Sequence, residues 1–160
     1  MNIHHNTHKK TDIASGKLHR LSSTGKANLK VSPSELKRTI ILYSPDMDFC
    51  VSLRMLLQNT YDVLVTTEPD ILMMMVKSFA PDVVIVDGLL TERMKQRFSI
   101  MRKEHPSVRI MMFYAVSMES PAQHESIRQF VDAAFSKPID IVEVLDRIKV
   151  FAMPTHTHNG

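Results

Sequence analysis

The chain has 160 residues, of which 44% are hydrophobic, and a formal net charge of +3; this is enough apolar material for one folded domain with tails. No apolar run suited to a secretory signal opens the sequence and no segment reaches the length of a membrane span, so we expect a cytoplasmic protein. The single cysteine, Cys50, excludes an internal disulfide and is typical of a reducing compartment.

The positive charge is concentrated near the N-terminus. Residues 1–38 carry eight Lys or Arg and two Asp or Glu, a balance of +6, whereas the rest carries 12 basic and 15 acidic residues, a balance of −3. Residues 1–37 contain few large apolar side chains, so we predict a disordered basic tail there and a short C-terminal tail at 153–160. The folded part is not expected to bind nucleic acid by its own charge; binding through the basic tail is a weaker alternative.

Five β-strands are predicted from short apolar runs that do not alternate with polar residues. In chain order they are Thr39–Tyr43, Asp62–Thr66, Val83–Asp87, Val108–Tyr114 and Ala133–Ser136. Runs of this kind are typical of strands that are buried on both faces of a parallel sheet.

A helix is predicted after each strand, mostly from apolar residues that recur three and four positions apart. The stripes are Phe49, Leu53, Leu56 and Leu57; Met94, Phe98 and Met101; Ile127, Phe130 and Val131; and Ile141, Val144, Leu145 and Ile148. Capping residues are expected at Thr67–Asp70 for the second helix, Ser120–Gln123 for the fourth and Asp140 for the fifth. Right-handed connections then predict an α/β, flavodoxin-like doubly wound (βα)5 fold, with a five-stranded parallel sheet in the order 2-1-3-4-5.

Two charged residues lie at the carboxyl ends of predicted strands. Asp87 closes the third strand and Lys137 follows the fifth. Open α/β sheets bind their ligands at this edge, so we expect the two side chains to build a small anionic pocket there.

Residues 38–152 resemble the receiver domain of bacterial two-component response regulators. The resemblance rests on four segments taken together, and it covers all five βα units. The segments are Ser44–Phe49, Pro81–Asp87, Ile110–Ala115 and Phe135–Pro138. It implies that Asp87 is the phosphoacceptor, whose carboxylate attacks phosphorus, and that Lys137 pairs with the phosphoryl oxygens.

The chain departs from this family at the metal site. Receivers usually carry two adjacent acidic residues after the first strand, where this chain has Ser44 and Pro45. The remaining candidate ligands are Asp87, the main-chain carbonyl of Leu89 and Asp46, and Asp46 is equally a candidate N-cap of the first helix. We therefore expect Mg²⁺ to bind weakly, and no other cofactor is indicated.

The switch residues of the family are also altered. Tyr114 stands where receivers place Ser or Thr at the end of the fourth strand. In the family that Ser or Thr hydroxyl bonds the phosphoryl group, and the hydroxyl of Tyr114 is too far from the backbone to do so. The aromatic residue usual in the fifth strand is replaced by Ala134, with Phe135 one position later. A shift of one residue in a strand turns the side chain to the opposite face.

The sequence therefore predicts a receiver-type signalling protein of a two-component phosphorelay, without enzymatic activity beyond phosphorylation of Asp87 from a donor. Since the last predicted helix ends close to the end of the sequence, we expect no output domain. Output would then be contact with a downstream signalling protein, under an atypical or phosphorylation-independent switch. We expect this contact through helix 1 or through the face formed by helix 4, strand 5 and helix 5.

Two alternatives remain open at this point. Asp87 would accept phosphate from a histidine kinase or a phosphotransfer protein and pass it on in the relay. The weaker alternative is nucleic-acid binding through the basic tail. A second copy of the chain is a further candidate partner, in a homodimer formed through helix 4, strand 5 and helix 5.

Overall fold

The computed structural model describes residues 37–116 and 122–153. Five parallel strands form one sheet in the order β2-β1-β3-β4-β5, which confirms the predicted fold class. The strands are β1 Thr39–Tyr43, β2 Asp62–Thr66, β3 Val83–Asp87, β4 Arg109–Ala115 and β5 Ala133–Lys137. The helices are α1 Met47–Leu57, α2 Pro69–Phe79, α3 Glu92–Glu104, α4 Ala122–Arg128 and α5 Ile141–Ala152.

Each predicted strand lies within one residue of its observed bounds. The tails predicted at 1–37 and 153–160 fall outside the described residues, apart from Lys37 and Met153, and stay predictions. Among the described helices, none combines the length and the hydropathy that crossing a bilayer requires.

The sheet is buried on both faces, as its apolar strands predict. The α1/α5 cluster contains, among others, Ile40, Leu42, Leu53, Leu57, Phe113, Val144 and Ile148. The α2/α3/α4 cluster contains, among others, Ile41, Leu72, Val76, Phe98, Met112, Tyr114 and Ile127. Neighbouring residues of one strand enter opposite clusters, because side chains alternate between the two faces of a sheet. All five residues of β3 are buried, so this strand lies at the centre of the molecule.

The buried face of α1 differs from the prediction at one position. Leu56 was expected in the core, but its side chain is 58% exposed. Cys50 is fully buried instead and lies with Leu53 and Leu57 on the same helix face. The three are spaced by three and four residues, whereas Leu56 precedes Leu57 by one position and is turned about 100° away from it around the helix.

Two of the three predicted helix starts can be compared with the structure. The capping box at Thr67–Asp70 is wrong, because the N-cap of α2 is Glu68, whose side chain makes no capping hydrogen bond. The Glu68 N–H instead donates to the hydroxyl of Thr66 at 3.1 Å. Asp140 is confirmed as the N-cap of α5, since its carboxylate accepts from the N–H groups of Val142 and Glu143. Ser120 and Pro121 of the remaining box lie outside the described residues.

The backbone conformation at the C-terminus of α2 can be tested directly by mutation. Ala80 ends this helix in the left-handed region, at φ 43° and ψ 61°, where a Cβ is unfavourable. We expect Ala80→Gly to raise the free energy of unfolding by about 0.5–1 kcal/mol in urea titrations. Ala152→Gly in the last turn of α5 is the matched control and should lower it by about the same amount. A loss of stability at both positions would contradict the left-handed conformation of Ala80.

Candidate functional site

Asp87, Ser44 and Lys137 meet at the carboxyl edge of the sheet. Asp87 ends β3, Ser44 follows β1 directly, and Lys137 ends β5. The Ser44 hydroxyl donates to Oδ2 of Asp87 at 2.8 Å. The Lys137 ammonium lies 2.7 Å from Oδ1 and 2.8 Å from Oδ2 of the same carboxylate. The structure thus brings Asp87 and Lys137 into contact, as expected, and adds Ser44 to them.

The carboxylate of Asp87 is buried, and both of its oxygens have a donor. Its side chain is 5% exposed, whereas that of Lys137 is 38% exposed, and Ser44 is fully buried. Lys137 also lies 4.9 Å from the ring centroid of Phe49, a distance at which a cation is attracted to an aromatic face. The negative charge of Asp87 is therefore balanced by residues of the chain itself.

The other two predicted metal ligands form hydrogen bonds with the local backbone. Asp46 is the N-cap of α1, and its Oδ1 accepts from the N–H groups of Asp48 at 3.0 Å and Phe49 at 3.2 Å. The carbonyl of Leu89 accepts from the N–H of Thr91 at 3.0 Å. In the part of the chain that the structure describes, no group of three or more His, Cys, Asp or Glu side chains is arranged to hold a metal ion.

Tyr114 and Ala134 lie on the same face of the sheet, and Phe135 lies on the opposite face. Tyr114 is the penultimate residue of β4, is 4% exposed and packs in the α2/α3/α4 cluster. Ala134 contacts the same cluster, whereas Phe135 belongs to the α1/α5 cluster. The predicted change of face for the strand 5 aromatic side chain is therefore confirmed.

A row of three phenylalanines leads away from the pocket through the α1/α5 cluster. The ring centroid of Phe49, beside Lys137, lies 6.0 Å from that of Phe113, which lies 5.9 Å from that of Phe135. Both contacts are edge-to-face, a favourable geometry for aromatic pairs. Sequence reasoning missed this row because its members come from α1, β4 and β5, and no spacing along the chain relates them.

Cys50 lies next to the pocket on α1. Its thiol is buried and lies 3.8 Å from the carbonyl of Ser44. Burial raises the pKa of the Cys50 thiol above its ordinary value of 9.0, the hydrogen bond to Ser44 lowers it, and the charges of Asp87 and Asp46 raise it further. A thiol that stays protonated is a poor nucleophile, which favours a packing role for Cys50.

The comparisons with known proteins show the fold. No protein-family model matches the chain, and no curated protein matches it. Solved receiver structures do resemble it. A signal receiver domain assigned to a LuxO repressor of Vibrio parahaemolyticus shares 12% identity at a TM-score of 0.64, covering 73% of this chain and 91% of that chain. The receiver domain of a two-component response regulator from Bacteroides fragilis shares 18% identity at a TM-score of 0.63, covering 74% and 99%.

A further solved structure is a protein assigned to pilus assembly from Burkholderia thailandensis. It shares 20% identity at a TM-score of 0.59, covering 72% of this chain and 98% of that chain. The chain therefore has the flavodoxin-like fold of the receiver domains of two-component response regulators. At these identities the resemblance concerns the fold, and function has to be argued from the pocket.

Proposed function

We propose that this chain is a receiver-type signalling protein that acts by protein–protein contact. In its pocket, both carboxylate oxygens of Asp87 have hydrogen-bond donors from the chain itself, without metal or phosphate. The observation that carries the proposal is the bonding of Asp87. One oxygen of its buried carboxylate accepts from Ser44 and both contact the ammonium of Lys137. Hydrogen bonds to a charged group contribute about 1.5–3 kcal/mol each, so a ligand that displaces them has to offer at least as much.

Weak Mg²⁺ binding follows from the same bonds. Mg²⁺ requires near-octahedral oxygen ligands, usually including one or two carboxylates. The carboxylate of Asp46 caps α1, and Ser44 presents a hydroxyl hydrogen that already points to Asp87. Occupation by the ion would therefore require the loss of the Asp87–Lys137 ion pair, of the Ser44 hydrogen bond, or of both.

A pocket without a firmly bound cation is poorly suited to phosphoryl transfer. In that reaction the protein acts mainly by positioning and by neutralising charge on the transferred group. Lys137 supplies one positive charge, but in this structure that charge is balanced by Asp87. We therefore infer that contact with a downstream signalling protein does not depend on a phosphoryl group at Asp87.

The alternative function is phosphate transfer in a relay. Lys137 is 38% exposed, so a histidine kinase or phosphotransfer protein is able to reach the pocket from solvent. A partner of this kind would have to supply the missing ligands from its own surface. Asp87→Asn separates the two functions, because it should abolish signalling through a relay and leave a contact-based function intact.

Titration with Mg²⁺ tests the proposed pocket. In amide NMR spectra of the full chain, we expect no saturable change at Ser44, Asp87 or Lys137 up to high millimolar Mg²⁺, because the ligand set is incomplete. Asp87→Asn is the control for non-specific effects of salt. Saturation in the low-millimolar range that disappears in Asp87→Asn would show a working metal site and reject the proposal.

A further inference from the structure

Strand β5 forms one edge of the sheet. It pairs with β4 on one side, and no described strand lies on the other. A groove of about 350 Å³ follows this edge and is lined by residues 131–135, by Arg128 at the end of α4 and by Glu143 and Arg147 of α5. Because α4 packs on one face of the sheet and α5 on the other, a groove lined by both helices has to run along the open edge.

The floor of the groove suits an added strand. An edge strand presents backbone N–H and C=O groups with no partner strand, and extended peptides bind to such edges by main-chain hydrogen bonds. Ala133 and Ala134 are partly exposed, and their short side chains leave room at the edge.

The walls of the groove carry charges that have no ion pair among the described residues. Arg128 stands on the α4 side, and Glu143 and Arg147 stand on the α5 side. Arg147 contacts the ring of Phe151, at 5.8 Å from its centroid, but no described carboxylate. Asp132, which also lines the groove, is already bound by two arginines; they are Arg102 at 3.1 Å and Arg109 at 3.4 Å.

We propose that the β5 edge binds an extended, acidic peptide segment of a partner protein as a sixth strand. Successive side chains of a strand point to opposite faces, so one acidic residue meets Arg128 on the α4 wall and the adjacent acidic residue meets Arg147 on the α5 wall. Glu143 and Arg147 are one helical turn apart, about 6 Å, which is close to the two-residue repeat of a strand. The acidic residue that meets Arg128 has a neighbour on each side, and both neighbours point to the α5 wall. One is the acidic residue that meets Arg147, and the other is a basic residue that meets Glu143.

The expected binding segment is thus three consecutive residues in the order basic, acidic, acidic, read in either chain direction. This inference names the partner of the proposed contact function and rests on it, but it does not involve the state of Asp87. A peptide that binds equally to wild type and to Asp87→Asn therefore supports the inference on its own.

The test uses two fluorescein-labelled peptides that place Lys-Glu-Glu or Glu-Glu-Lys within a Val and Thr frame. With the full chain, we expect saturable fluorescence anisotropy for one of them and slower hydrogen exchange at the amides of Ala133–Phe135 that face the free edge. The double variant Arg128→Glu with Arg147→Glu should weaken binding at least tenfold. A peptide in which both glutamates are replaced by lysine, and the lysine opposite Glu143 is kept, should restore it. Circular dichroism checks that the double variant is folded.

Arg93→Glu is the matched control, because Arg93 is an exposed arginine in the first turn of α3 and does not line the groove. It should leave the affinity within twofold of wild type. Absence of saturable binding by both peptides overturns the proposal, as does binding that leaves the exchange of Ala133–Phe135 unchanged. Protection of these amides by self-association alone, seen as concentration-dependent dimers in sedimentation, also overturns it and assigns the edge to a second copy of the chain.

Discussion

Replacement of both Ser44 and Pro45 by aspartate is expected to raise the affinity of the chain for Mg²⁺ at least about tenfold, equivalent to roughly 1.4 kcal/mol. Two added carboxylates beside Asp87 give the ion three acidic neighbours in place of one. A pair of opposite charges 4 Å apart gains about 4 kcal/mol at an effective dielectric constant near 20, so the expected gain is a modest fraction of the available attraction. Isothermal calorimetry of wild type and double variant measures it.

The same double variant should be less stable without the ion. It exchanges a buried hydroxyl that donates to Asp87 for a carboxylate that repels it, so we expect the free energy of unfolding in EDTA to fall by about 1–3 kcal/mol. Millimolar Mg²⁺ should restore most of that loss, because it binds only the folded state. The control adds Asp87→Asn, which should reduce the Mg²⁺ affinity again. Unchanged Mg²⁺ affinity in the double variant would contradict the role given to Ser44 and Pro45.

Truncation of Phe113 should cause the second large effect. Its ring is fully buried between those of Phe49 and Phe135, and Asp87 is its neighbour in the sheet register. Loss of a buried phenylalanine side chain costs about 3–5 kcal/mol, because apolar contacts are removed and a cavity remains. We expect Phe113→Ala to lower the free energy of unfolding by this amount in urea titrations.

Two matched variants separate burial from the chemical change. Phe113→Leu keeps most of the volume and should cost clearly less. Phe79→Ala makes the same change at a side chain that is 54% exposed and should cost less than about 1 kcal/mol. Equal losses for Phe113→Ala and Phe79→Ala would show that the aromatic row does not form the core beneath the pocket.

The sheet was predictable because β-strands buried on both faces leave a plain signal. Val83 to Val86 are four consecutive apolar residues, and all of them are buried. The N-cap Asp140 was predictable for a similar reason, since a short polar acceptor before an apolar stripe has one favourable role. The position of Leu56 was not, because two adjacent leucines both fit the pattern, and only the packing of α1 against the sheet decides which is buried.

The pocket was predictable in part. The sequence places Asp87 and Lys137 at the carboxyl ends of two strands, and a parallel sheet brings such ends to one edge. β4 lies between these two strands. The sequence treats Ser44 only as a missing acidic residue, whereas the structure makes it a hydrogen-bond donor to Asp87. That contact depends on the pairing of β1 with β3. Because Ser44 and Asp87 are 43 positions apart in the chain, no local sequence pattern predicts it.

The role of Asp46 could not be decided from the sequence. A carboxylate just after β1 suits both a metal ligand and a helix N-cap. The structure assigns it to the cap of α1, where two N–H groups at the positive end of the helix dipole bind the same oxygen. β1 ends at Tyr43, and Asp46 follows three positions later, after Ser44 and Pro45. Its side chain therefore comes too late in the chain to replace Ser44.

Whether Asp87 takes up a phosphoryl group is decided most directly by intact-mass spectrometry of the full chain after incubation with acetyl phosphate or phosphoramidate and Mg²⁺. Asp87→Asn is measured in parallel, and a receiver domain that carries both acidic residues after its first strand serves as the positive control for the donor. We predict no phosphoryl adduct on the wild-type chain, as expected of a pocket that Ser44 and Lys137 already satisfy. An adduct on wild type that is absent from Asp87→Asn would contradict the phosphorylation-independent function and establish a working phosphoacceptor.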